Sequence, residues 1–296
     1  MKNNLGDNEM KTHKIKCLQE LFDFVRDINS DNNYWFRGHA DSDYILSPSA
    51  YRNIYVVADQ FDRPVEPRKL ETFDNHGDKI LLLDKIYLAS FLQELCKNNI
   101  AYDTSLNTVD LYCLAQHYGV WTPMLDWTTD FSVALFFACD GRRENTDCSV
   151  FFLEPQRWNE MITGYKKIFT SDEVKEISNL DPLAMYGKKW DKRMCRQSGN
   201  FTAHGNIVWP LERYNPDDET LIKIIIPSNV ADELEVYMKC FGITHDSIYV
   251  DKDEKDEISK SLKGFNERKL KELLEEYKDK WEKTPKENRG VSRHLL

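Results

Sequence analysis

Four short segments hold the residues whose types and spacing suit chemistry. The first is Trp35-Phe36-Arg37-Gly38-His39. An arginine directly behind three aromatics, Tyr34 to Phe36, stands at a strand end and offers a planar fork of donors suited to phosphate or carboxylate. Gly38 lets a backbone or a ligand approach closely. The bland alternative for Arg37 is a structural arginine paired with a carboxylate such as Asp126. The second segment is Ala115-Gln116-His117-Tyr118-Gly119, a helix end with Gly as its stop. There His117 is either a favourable last-turn residue or a proton donor in a cleft. The third is Leu125-Asp126-Trp127-Thr128-Thr129-Asp130, a polar corner held between apolar runs. One of Thr129 and Asp130 caps the helix that follows, which leaves Asp126 and Thr128 as candidate site groups. The fourth is Arg193-Met194-Cys195-Arg196-Gln197-Ser198-Gly199, which places the neutral amide Gln197 at a strand end.

Several standard machines are missing. There is no G-x-G-x-x-G, no phosphate-binding loop and no G-x-S-x-G. The seven histidines show no metal-binding pairing, and no metal site is expected. Cys195 with His117 is only a weak thiol–imidazole pair. Glu233 and Glu235 lie two apart on a helix and share no face.

These segments need elements to position them. The periodicity predicts helices over Lys14–Ile28, Lys79–Cys96, Thr108–Tyr118, Asp130–Cys139 and Val230–Phe241, and a last helix from Asn266. On that last helix Leu270, Leu273, Leu274, Tyr277 and Trp281 form one stripe. It either packs on its own domain or receives a partner. Strands are expected at Tyr34–Phe36, Tyr44–Leu46, Cys148–Leu153, near 193–197 and 200–204, at Leu221–Ile226 and at Ser247–Val250. Residues 59–78, rich in charge and proline, read as a surface loop, and 156–190 as an insertion holding short helices. Helices interrupt short strands without βαβ alternation. The expected class is therefore α+β, a mixed or antiparallel sheet core flanked by helices. The domain reading is a disordered stretch over 1–13, one domain over 14–262, and a C-terminal amphipathic helix and tail over 263–296.

Composition sets the outer bounds. The 296 residues carry 40 Lys and Arg against 50 Asp and Glu, a net charge of −10. That disfavours a nucleic-acid partner, although a local basic groove stays open. No apolar run is long enough to span a bilayer, and the polar N-terminus lacks a signal-peptide segment. Seven scattered cysteines, none in a C-x-x-C pair, read as reduced thiols in a cytoplasm.

Three blocks of the sequence resemble the FRG domain family, named for its Phe-Arg-Gly. They are Tyr34 to His39 with Leu46-Ser47-Pro48-Ser49 and Arg52; Ala115 to Gly119 through Leu125 to Thr129 and Ala134 to Ala138; and Arg193, Gln197, Gly199 and Phe201. The resemblance runs over roughly 15–250. It departs from the family pattern at Thr122-Pro123-Met124, where a basic residue usually stands. More distantly, the arrangement is similar to the ADP-ribosyltransferase superfamily, which implies NAD as substrate. On that resemblance Arg37, Gly38, Thr128 and Gln116 bind the nucleotide. Asp126, Gln197 and His117 are catalytic, with Gln197 at the usual glutamate position. An amide there supplies no negative charge, so Asp126 takes the electrostatic role. The resemblance further implies an effector of bacterial conflict or phage defence. The alternative is a non-catalytic module that binds a nucleotide or a protein partner through the same pocket.

Overall fold

The computed structural model describes residues 10, 12–28, 31, 33–70, 77–177, 181–188, 199–214, 216–217, 219–249, 262 and 264–291. Its strands are β1 (Thr12–Lys14), β2 (Trp35–His39), β3 (Tyr55–Ala58), β4 (Pro64–Lys69), β5 (Lys79–Ile80), β6 (Met124–Thr128), β7 (Cys148–Leu153), β8 (Leu183–Tyr186), β9 (Gly199–Ala203) and β10 (Leu221–Ile226). Its helices are α1 (Leu18–Ile28), α2 (Asp84–Lys97), α3 (Thr108–His117), α4 (Phe131–Cys139), α5 (Pro155–Thr163), α6 (Ser228–Cys240), α7 (His245–Ile248) and α8 (Phe265–Lys283). Helices mixed with a sheet of parallel and antiparallel pairs make the class α+β. Among the described residues no helix is long and apolar enough to cross a membrane.

The chain divides into two compact units. The first comprises Met1–Leu46, Leu125–Ala203 and Pro210–Lys252; the second comprises Ser47–Met124, His204–Trp209 and Asp253–Leu296. The first unit is built on a seven-stranded sheet in the order β1-β10-β7-β2-β6-β9-β8. Its inner strand β7 is buried at every residue, which is why Cys148–Leu153 reads as an unbroken apolar run. One face of the sheet packs Phe36, Val150, Phe152, Ile222 and Ile224 against residues of α1, α4 and α6. The other packs Trp35, Trp127, Phe151 and Leu153 against Trp158 of α5 and Leu211. Helix α4 begins where Asp130 accepts hydrogen bonds from the Ser132 amide (2.9 Å) and hydroxyl (2.6 Å). Pro155 opens α5 behind its cap, Glu154.

The second unit holds the small sheet β4-β3-β5 and helices α2, α3 and α8. Residues expected to form a surface loop supply much of that sheet. Asp59 turns the chain by accepting the amides of Phe61 (2.9 Å) and Arg63 (3.0 Å), so β4 folds back on β3.

Other boundaries moved for local reasons. Helix α1 starts at Leu18 because Thr12–Lys14 pairs in parallel with β10. Likewise α2 starts at Asp84 because Lys79–Ile80 pairs with β3. Tyr44–Leu46 is no strand: Tyr44 and Ile45 are exposed, and only Leu46 enters the core. Most of the polar corner expected at Leu125–Asp130 is strand β6. His245–Ile248 is helical, not extended, because Thr244 and Ser247 form a reciprocal capping box. Val250 and the strand expected near 193–197 lie outside the described residues. The described cysteines are unbridged.

Candidate functional site

Strand alternation decides which candidates can meet. Arg37 stands opposite Phe151 of β7, and His39 opposite Ser149, so Trp35, Arg37 and His39 share one face of the sheet. Phe36 and Gly38 point to the other. There Gly38 lies under α4, and a Cβ on it would stand 2.0 Å from the Ala134 carbonyl oxygen and 2.4 Å from the Ala138 amide. Of the two approaches this glycine permits, a helix backbone is the one present. Its expected place among the nucleotide-binding residues is therefore taken up by packing.

Thr128 sits opposite Phe36, on the face away from Arg37. It is buried, and its hydroxyl accepts the Asp130 amide at 2.9 Å, closing the turn into α4. The hydroxyl expected to bind the nucleotide thus also holds the turn.

Arg37 and Asp126 do come together. The Arg37 Nη1 donates to the Asp126 backbone carbonyl at 2.7 Å and stands 3.9 Å from the Asp126 carboxylate. β2 registers with β6 where Phe36 faces Thr128, and beyond that pair the guanidinium reaches the carbonyl of Asp126. The Arg37 side chain keeps 16% exposure while that of Asp126 keeps 62%. Such a pair is weak as an ion pair, and the carbonyl bond is the firmer anchor. The carboxylate is left facing solvent.

His39 completes the group. Its Nε2 accepts from Arg37 Nε at 2.9 Å, which needs a lone pair there and puts the imidazole proton on Nδ1. That Nδ1 faces the Tyr44 carbonyl at 3.4 Å, and the rings of His39 and Tyr44 meet edge to face. His39 stands in the Arg37 segment of the sequence without a role of its own. Period-two alternation from Arg37 was the signal that could have assigned one. On the same face Lys223 of β10 stands opposite Phe151, its Nζ 5.2 Å from the ring centroid and bonded to the Ser42 carbonyl at 2.6 Å. Glu212, in a short 3-10 turn, accepts the Leu46 amide at 2.8 Å, and burial raises its carboxyl above the ordinary range. No sequence pattern marks that residue.

The remaining candidates are Gln116, His117 and Gln197. Gln116 and His117 belong to the second unit, at the end of α3. There Gln116 accepts the Thr122 hydroxyl, and His117 packs edge-on against Tyr118. Gln197 lies outside the described residues, although β9 starts two residues after it, at Gly199. Among the described residues no cluster of His, Cys, Asp and Glu could hold a metal ion.

Residues 32–147 match the family model of the FRG domain, which supports the FRG family for this chain. The matched span takes in the Arg37 and Asp126 blocks and stops short of the Gln197 block. No curated protein and no solved structure matches the chain.

Proposed function

We propose that the first unit binds NAD at Arg37 and Asp126 and acts on it in the manner of an ADP-ribosyltransferase or NAD glycohydrolase. The observation that carries this reading is strand order. β2, β6 and β9 are neighbours in the sheet, so the Arg37 strand, the Asp126 strand and the strand following Gln197 lie side by side. The superfamily that the sequence resembles draws its site from three such segments.

Two of the implied residues fit and two do not. Arg37 is a fixed cation with part of its side chain open, suited to a pyrophosphate. Asp126 offers an exposed carboxylate within 4 Å of that cation, as its 3.9 Å separation shows. Gly38 and Thr128 are occupied by α4 and its turn. The chemistry then falls to Asp126. Its negative charge would stabilise positive charge growing on the ribose as the bond to nicotinamide breaks and nicotinamide leaves with the electron pair. Water or an acceptor nucleophile completes the exchange at that carbon.

A second reading, nucleotide binding without turnover, is favoured by the 62% exposure of the Asp126 side chain, because a carboxylate in water stabilises growing positive charge weakly. Incubation of the full chain with NAD, with nicotinamide release followed by chromatography, separates the two. The enzyme reading predicts release, lowered by about 10²–10³ in Asp126→Asn, by analogy with the loss of one preorganised electrostatic group. Absence of release from correctly folded protein overturns it, and a thermal shift by NAD without release leaves the binding reading standing.

A further inference from the structure

The second unit contains a cleft of about 480 Å³ between β4, Trp121 and helix α8. Its size is that of a small-molecule site, which typically runs from about 300 to 1,000 Å³. The floor is apolar, made by Pro67, Trp121, Leu270 and Leu274. Leu270 and Leu274 belong to the apolar stripe of the last helix, which the sequence leaves open to packing on its own domain or to a partner. They are only half-buried, so the unit leaves part of that face uncovered.

The wall is fixed in advance. The Trp121 amide donates to Asn266 Oδ1 at 3.0 Å, and Asn266 Nδ2 donates to the Gly119 carbonyl at 2.9 Å. Behind it the Trp121 ring meets Tyr87 edge to face at 5.7 Å, and Phe265 packs on the same tyrosine at 6.3 Å. The start of α8 is thereby pinned beside the indole, and little reordering is needed on binding.

The rim is acidic where it is open. Lys271 sits 3.8 Å from Glu275 and Lys278 sits 4.0 Å from Glu282, so both lysines face carboxylates of their own helix. Glu66 and Glu267, which also line the cleft, have no basic partner among the described residues. Their field reaches the wall: burial first, and then the charge of Glu267, push the Tyr87 hydroxyl well up. An indole, aliphatic side chains and a lining of three carboxylates, Glu66, Glu267 and Glu275, against two lysines are complementary to a molecule that is apolar at one end and cationic at the other.

We propose that this cleft is a binding site for a small organic ammonium, its cation beside Trp121 between Glu66 and Glu267 and its apolar body on Pro67, Leu270 and Leu274. The site uses none of the residues assigned to NAD, so its test is independent of that assignment.

Calorimetric titration of the full chain with phenethylammonium and with 2-phenylethanol provides the test. The two probes share an apolar body and differ in charge. The ammonium is expected to bind about tenfold or more tighter than the alcohol, with affinity falling as salt rises. Glu267→Gln and Glu66→Gln, both exposed positions, are each expected to weaken the ammonium several-fold and leave the alcohol unchanged. Trp121→Leu is expected to weaken both. Equal affinity for the two probes, no saturation by the ammonium, or full affinity in the Glu267→Gln/Glu66→Gln double variant overturns the proposal. The glutamine variants keep the test decisive if Trp121→Leu disturbs the fold.

Discussion

In the first unit, strand β7 is buried at all of its residues, and apolar side chains fill both faces of the sheet around it. In the second unit, buried aspartates do much of the holding. Asp84 accepts the Tyr112 hydroxyl at 2.9 Å, Asp59 takes Arg63 Nε at 2.8 Å, and the Tyr51 hydroxyl reaches the Gly205 carbonyl at 2.6 Å. Asp59, Asp78, Asp84 and Asp110 are all at or below 5% exposure there. Both units bury polar side chains, but the first relies mostly on uncharged ones around its apolar sheet, while the second buries carboxylates that must find partners out of water. The difference matters for function as well. In the first unit the buried polar side chains are mostly uncharged, Ser149, Asn159, Asn200 and Thr202 among them, and the charged groups Arg37 and Lys223 share one sheet face with His39.

That contrast can be broken by variants aimed at one unit at a time. The largest effect belongs to Gly38→Ala. The new Cβ meets helix backbone rather than a movable side chain, so β2 and α4 must separate. A loss of about 3 kcal/mol is expected, confined to the first unit. Hydrogen exchange that accelerates in β2, β7 and α4 while α2 and α3 keep their protection would bear this out.

The next effect is one of pH, with opposite signs in the two units. His204 of the second unit is fully buried, and burial lowers its pKa from 6.5 to about 3. Its folded pKa lies below its unfolded one, so the unfolded chain binds the extra proton. Its contribution is present above pH 6.5 and is lost as pH falls from there towards 3. The loss is about 2 kcal/mol by pH 5. Glu212 of the first unit is raised by burial, so its effect runs the other way, with stability lost as pH rises from its ordinary value of 4.5 through its folded pKa. Melting temperatures at pH 7 and pH 5 should fall less in His204→Gln than in the parent. Glu212→Gln should raise the melting temperature at pH 7 and leave it unchanged near pH 4. A parent-like acid response in His204→Gln would break the comparison.

The smallest effect concerns the cap that joins the Asp126 strand to α4. Asp130→Ala removes the acceptor for both Ser132 groups and should cost about 1 kcal/mol by urea unfolding, whereas Asp130→Asn should cost less.

The same contrast explains what the sequence made legible. β7, β10 and α4 are apolar runs or periodic patterns, and their places could be read directly. The β3–β4 hairpin could not. Its turn is made by Asp59, and its second strand opens on Pro64 and carries Glu66, Pro67 and Arg68, a composition that reads as exposed loop. The short helix at His245 hid for a similar reason, since its cause is a capping box and not periodicity. At the candidate site, residue types were legible but faces were not. Arg37, Gly38 and Thr128 look like one cluster in a motif, yet the pleat sends Arg37 to one side of the sheet and the other two to the opposite side. Asp126 meets the guanidinium through its backbone carbonyl at 2.7 Å, with its carboxylate 3.9 Å away, a contact that no sequence pattern displays.

The central claim is that the Arg37 guanidinium, beside the Asp126 carboxylate, grips a dinucleotide. Calorimetric titration of NAD into the full chain and into Arg37→Lys tests it most directly, because lysine keeps the charge and removes the planar fork. Saturable binding to the parent is expected, with affinity lower by about tenfold or more in the lysine variant and both proteins melting alike. Saturable binding of equal strength in the two proteins, or no binding to the parent at all, would contradict it.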